Sequence, residues 1–104
     1  MTSISTHVLD TSLGAPAAGI PVELAQQVAG EWKPLGASAT DADGRCKDLP
    51  VPDLGAGTVL RLRFTTNGAF FPEVAIVFDV DPAQAHYHVP LLLNPFGYSV
   101  YRGS

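Results

Sequence analysis

The chain has 104 residues, 46% of them apolar and 15% charged, and ten acidic against six basic side chains leave a net charge of −4. That balance describes one folded domain over residues 1–104 rather than a disordered segment. With no Lys/Arg cluster, it argues against nucleic acid or an anionic membrane as partner. The single cysteine, Cys46, excludes an internal disulfide and a cysteine-only zinc site. Apolar runs such as 74–80 and 89–93 are far shorter than a bilayer span. The first seven residues carry neither the basic start nor the apolar run of a signal peptide, so the expected location is cytoplasmic.

In chain order, period-2 alternation predicts a series of short strands. Ser3–Asp10 places Ile4 and Val8 on one face and Ser5, His7 and Leu9 on the other. Leu13–Pro16 reads as a turn, and Ile20–Val28 and Trp32–Thr40 as the next strands. Asp41-Ala42-Asp43-Gly44 is a strong turn signal before a strand stub, Arg45-Cys46-Lys47. Pro50–Gly57 reads as loop. Thr58–Thr66 directs Leu60, Leu62 and Phe64 inward and Arg61 and Arg63 to water. Asn67-Gly68 turns the chain into Glu73–Val80, whose buried face is Val74, Ile76, Phe78 and Val80. Asp81-Pro82 breaks that strand. His86–Leu93 is the seventh, Asn94–Gly97 turns, and Tyr98–Arg102 is the eighth. Eight such strands predict an all-β, antiparallel β-sandwich. The seventh is apolar on both faces (Tyr87, Val89, Leu91, Leu93 against His88, Pro90, Leu92), which asks for cover on both sides and predicts self-association.

No nucleophile elbow, phosphate loop, dinucleotide turn or zinc-protease helix occurs. The side chains able to do chemistry are His7, Arg45, Cys46, His86, His88 and the tail Tyr101-Arg102-Gly103-Ser104. Cys46 could act as a nucleophile with either histidine, but strand alternation points it away from Arg45 and into the core. His86-x-His88 could bind a metal with His7, yet no carboxylate or cysteine completes the set, and no metal or cofactor is expected.

Three motifs run through the chain in order. They are Ser5-Thr6-His7-Val8-Leu9-Asp10-Thr11, then Thr40-Asp41-Ala42-Asp43-Gly44-Arg45-Cys46, and finally His86-Tyr87-His88-Val89-Pro90-Leu91-Leu92-Leu93 leading into Tyr98–Ser104. Phe70-Phe71-Pro72-Glu73-Val74 adds a fourth. Together they resemble the 5-hydroxyisourate hydrolases, the transthyretin-like enzymes of urate degradation. The resemblance implies a transthyretin-like eight-stranded sandwich whose inner sheet runs fourth, first, seventh, eighth strand. That order would gather His7, Arg45, His88 and the tail into one patch, since neighbouring strands lie about 4.8 Å apart. It also implies a homotetramer with its sites at the dimer–dimer interface. The family's short helix between strands five and six is expected to be shortened or absent, because 66–71 leaves room for little more than a turn.

By the same resemblance, the substrate is the small molecule 5-hydroxyisourate. Water adds to its C6 carbonyl and the N1–C6 bond opens, giving 2-oxo-4-hydroxy-4-carboxy-5-ureidoimidazoline. The implied catalytic residues are His7, Arg45 and His88, with either histidine as the base. Pro90 would shape the pocket floor, Tyr101 and Arg102 its walls, and the Ser104 hydroxyl or carboxylate would orient substrate or water. The alternative is a non-catalytic small-ligand carrier of the transthyretin type.

Overall fold

A computed structural model describes residues 3–49, 58–81 and 83–103. The expected loop 50–57, Pro82 of the strand break and Ser104 of the tail lie outside the described residues. Among the described residues nine strands form: β1 (Ser3–Asp10), β2 (Ala15–Pro16), β3 (Pro21–Val28), β4 (Glu31–Ala39), β5 (Arg45–Leu49), β6 (Thr58–Thr65), β7 (Glu73–Val80), β8 (His86–Asn94) and β9 (Gly97–Val100). One sheet runs β4-β3-β6-β7. In the other, β1 pairs with β8 and β8 with β9, while β5 and β2 share the opposite edge of β1.

The strand beyond the eight expected is β2, only two residues long. Because β5 pairs with Ile4–His7, the upper edge of β1 is left open, and Pro16 and Ala15 pair there with Leu9 and Asp10. The Asp10 carboxylate tightens the intervening turn, accepting from the Ser12 and Leu13 N–H groups and the Ser12 hydroxyl. A second difference is that β1 and β8 run parallel over eight register pairs, Ser3↔His86 to Asp10↔Leu93. The long connection a parallel pair requires is supplied by the whole of the second sheet. β8 lies inside its sheet between β1 and β9, with Tyr87, Val89 and Leu91 directed into the core.

Alternation sets the core. Ile4, Val8, Val22, Leu24, Leu60, Leu62, Phe64, Val74 and Leu91 are almost completely buried between the sheets. Each such side chain contributes about 1.5–3 kcal/mol through burial. Thr6 shares the inward face and donates its hydroxyl to the Val89 carbonyl, so a polar group in the core is satisfied. Arg61 and Arg63 point outward as expected, held by Glu23, with Arg61 stacked over Trp32. Cys46 is buried in the core.

No helix occurs among the described residues. The β6–β7 connection is closed instead by the Thr66 and Asn67 N–H groups, both donating to the Pro72 carbonyl, and by the Thr66 hydroxyl on Phe71. Asn67 takes a positive φ of 51°, a conformation that asparagine tolerates better than most residues.

The last strand ends earlier than expected, at Val100 rather than Arg102. The β8–β9 register (Leu91↔Val100) brings Tyr101 opposite Pro90. Proline has no N–H to give that pair, and only a long 3.4 Å bond from the Tyr101 N–H to the Pro90 carbonyl remains. The ladder resumes for one residue, where Gly103 bridges to His88.

Candidate active site

Two features of the β1-β8-β9 sheet gather its polar side chains on one face. The β1–β8 register places Ser3, Ser5 and His7 beside His86, His88 and Pro90, and the β1–β5 register places Arg45 opposite His7. Since side chains alternate, these residues and Lys47 share the face turned away from the core. An irregularity in the β1–β5 pairing, with Ile4↔Leu49 and Thr6↔Cys46 in register, inserts an extra residue in β5. Both Cys46 and Leu49 thereby reach the core, while Arg45 keeps the polar face.

The turn ahead of β5 positions two of these side chains at once. The Asp41 carboxylate accepts from the Asp43 and Arg45 N–H groups at 2.9 and 3.0 Å. Those bonds, the Arg45 N–H above all, lower the pKa of its carboxyl. Gly44 takes φ +74° with its carbonyl accepting from Val8 N–H at 2.7 Å; a Cβ there would lie 2.4 Å from the Val8 carbonyl oxygen. The same turn presents the Asp43 carbonyl to His7 Nε2 at 2.8 Å. A carbonyl only accepts, so Nε2 carries the proton, and a neutral His7 has its lone pair on Nδ1.

On β8 the imidazoles are linked through serines of β1. Ser5 Oγ lies 2.8 Å from His88 Nδ1 and 2.9 Å from His86 Nε2, and Ser3 Oγ lies 2.5 Å from His86 Nδ1. Burial lowers the pKa of His88 below its ordinary 6.5, and the nearby Arg45 guanidinium and the His7 and His86 imidazoles lower it further. His88 is therefore neutral at pH 7. Ser5, Thr6, Arg45, Lys47, His86 and His88 line an open cleft of about 460 Å³. Among the described residues no group of three or more His, Cys, Asp or Glu side chains could hold a metal ion.

Of the site residues read from the sequence, Arg45 and His88 line this cleft, and His7 pairs with Arg45 beside it. Pro90 is buried next to His7 in register and is not part of the lining. Gly103 anchors the tail, its N–H donating to the His88 carbonyl at 2.8 Å. Tyr101 and Arg102 line a different hollow, about 550 Å³, between β7 and the start of β8. The Arg102 guanidinium sits 4.9 Å from the Tyr87 ring centroid. Strand parity is the reason: Arg102 follows Val100 on the core-facing side, opposite to His88. Ser5 and Lys47 are not named as cleft residues from the sequence, and His86 is considered there only as a metal ligand. Their signal was the alternation itself, which places each two positions from His7, Arg45 or His88.

Residues 4–103 match the profile of the HIUase/Transthyretin family. The chain belongs to this family. It is 37% identical to the 5-hydroxyisourate hydrolase of Caulobacter vibrioides over the full length of both chains. It is 40% identical to that of Salmonella dublin, over 97% of this chain and 80% of the relative. The uric acid degradation bifunctional protein TTL of Arabidopsis thaliana is 48% identical over 97% of this chain, which spans only 37% of that longer relative. Among solved structures, Klebsiella pneumoniae 5-hydroxyisourate hydrolase superposes with a TM-score of 0.85 at 33% identity over 100% of both chains. Sea bream transthyretin in complex with thyroxine superposes with a TM-score of 0.88 at 28% identity, over 96% of this chain and 93% of that one. The HIUase/Transthyretin fold thus accommodates both names, and the side chains on the sheet face must distinguish them.

Proposed function

We propose that this chain is a hydrolase that opens 5-hydroxyisourate, a step of urate degradation. Water adds to the C6 carbonyl, the N1–C6 bond breaks, and 2-oxo-4-hydroxy-4-carboxy-5-ureidoimidazoline results. The observation that carries the reading is the register that sets Arg45, His7 and His88 on one face around an open cleft. A carrier of a small planar ligand has no need of two imidazoles and a guanidinium so placed.

His88 is the general base: it is neutral at pH 7, its Nδ1 is engaged by Ser5, and Nε2, which bonds to none of the described residues, takes the water proton. That proton passes to N1 as the C–N bond breaks, and the product acid ionises to solvent. His7, with its proton fixed on Nε2, offers Nδ1 to hold the attacking water. Arg45 binds the electron-rich ring and stabilises the oxyanion developing at C6. A positioned base supplies about 10²–10⁴-fold, and orientation and charge stabilisation the remainder. The tail closes the site through Gly103 against His88 and Ser104 orienting substrate, while Tyr101 and Arg102 anchor it from the hollow beside Tyr87; Pro90 supports the floor. The working form is a cytoplasmic homotetramer with the cleft at the dimer–dimer interface, consistent with its openness in the single chain.

The test is to generate 5-hydroxyisourate in place from urate with urate oxidase and follow its ultraviolet absorbance. Loss accelerating in proportion to added protein is expected. A folded sample that leaves the spontaneous rate unchanged would overturn the proposal.

A further inference from the structure

The chain Ser3–His86–Ser5–His88 is not accounted for by the reaction as described. Its four groups alternate between β1 and β8 and make three contacts of 2.5, 2.9 and 2.8 Å. Ser5 is nearly buried, His86 is exposed, and both border the cleft. The Ser5 hydroxyl has one proton and two imidazole neighbours, so it can donate to only one of them.

With that proton kept within the chain, two self-consistent arrangements remain. In the first, His88 Nδ1–H donates to Ser5 Oγ, Ser5 O–H donates to His86 Nε2, and His86 Nδ1–H donates to Ser3 Oγ. His88 Nε2 then holds a lone pair. In the second, every bond is reversed, Ser5 donates to His88 Nδ1, and Nε2 carries the proton. Only the first gives a base able to accept a proton from water.

We propose that Ser5 and His86 are positioning residues that hold His88 in the tautomer with its lone pair on Nε2. The inference rests on the hydrolase reading for its kinetic consequence, but the tautomer itself is a property of the free protein. His86 acts by accepting the Ser5 proton, which removes that proton as a competitor for His88 Nδ1. Ser5 then acts as the acceptor for His88 Nδ1–H, and this bond strengthens when Nε2 takes the proton from water and the ring becomes charged. The arrangement parallels the carboxylate that orients the histidine of a serine-protease triad, with a neutral serine–histidine pair in its place. The groups facing His88 are consistent with a neutral partner. Arg45 and Lys47 on β5, His7 on β1 and His86 on β8 surround the cleft face, and the tail contributes Gly103 through its backbone. Among the described residues, the hydrogen-bond partner of His88 Nδ1 is the Ser5 hydroxyl rather than a carboxylate.

Two readouts test this. Long-range ¹H–¹⁵N spectra of the imidazoles in the substrate-free protein report which nitrogen of His88 is protonated. The expected result is Nδ1–H in the wild type, with a shift toward Nε2–H in Ser5→Ala and His86→Ala. Ser5→Thr keeps the hydroxyl, and His86→Gln keeps an acceptor in the Nε2 position, so both should retain the wild-type signature. Wild-type protein already in the Nε2–H form, or Ser5→Ala with an unchanged tautomer, would overturn the proposal without any substrate. In turnover, Ser5→Ala and His86→Ala should lower kcat by at least about 10-fold with KM little changed, part of the ~10²–10⁴-fold a general base supplies. Ser5→Thr and His86→Gln should recover most of it. Active wild type with an unaffected Ser5→Ala rejects the positioning role alone, whereas inactive wild type rejects the hydrolase reading and leaves the spectra to decide the tautomer.

Discussion

Gly103 lies against the imidazole of His88: its N–H donates to the His88 carbonyl at 2.8 Å, and a Cβ added to it would come within 2.7 Å of the ring's Cδ2. The glycine therefore fixes one edge of the ring while Ser5 holds Nδ1 on the other. A Gly103→Ala substitution must push the tail or the imidazole aside. A displacement of about 1 Å can cost ~10²-fold in rate, and a loss of that order in kcat/KM is expected, with the circular dichroism spectrum unchanged. Full activity in the variant would show that the contact does not position the ring.

The lowered pKa of His88 sets the acid limb of the pH–rate profile. A base works only while unprotonated, so activity should persist below pH 6.5 and fall as pH drops through the lowered value. Arg45 contributes to that lowering, after burial, so Arg45→Ala should move the limb up toward 6.5 as well as reduce kcat/KM by about 10²–10³-fold through lost oxyanion stabilisation. The profile of kcat/KM from pH 5 to 8 decides both points.

The same shift has a consequence for stability, because the folded and unfolded chains take up the His88 proton at different pH. The unfolded chain has the ordinary value of 6.5 and the folded chain a lower one, so below pH 6.5 the unfolded state takes up the proton first. His88 thus favours unfolding as pH falls through that window and has no effect above it. Replacing His88 with Gln should flatten the fall in denaturant midpoint between pH 7 and 5 relative to the wild type. An unchanged slope would mean that His88 is not the group responsible.

Gly44 shows how backbone geometry reaches the site. Gly44→Ala places a side chain at φ +74° and 2.4 Å from the Val8 carbonyl, in the turn that delivers Arg45 and the carbonyl bound by His7. Backbone strain alone costs about 1–3 kcal/mol. A lower urea midpoint together with reduced turnover is expected, and a variant as stable as the wild type would contradict the geometry.

Much of this arrangement can be read from alternation. The inward set Leu60, Leu62 and Phe64, and the common outward face of Ser5 and His7, follow from period 2 alone. The direction of β1 relative to β8 does not, because nothing local in either strand encodes whether a partner 83 residues away runs parallel. The short β2 depends on how much of the β1 edge β5 leaves open, which is a tertiary fact. The early end of β9 was readable in principle: Pro90 lacks the N–H that Tyr101 needs opposite it, but only once the register is known. The same register places Arg102 over Tyr87 rather than beside His88, where its membership of a polar tail suggested it belonged. The Ser5–His86 link required two strands to be paired before either residue had a partner.

The central claim is that neutral His88 takes the proton from water during ring opening of 5-hydroxyisourate. Its most direct test is the decay rate of that compound at pH 7 with wild-type protein and with His88→Ala, both shown to be folded and of equal oligomeric size. The account predicts protein-dependent acceleration by the wild type and a loss of about 10²–10⁴-fold in the variant. A His88→Ala protein that turned the compound over at the wild-type rate would contradict it.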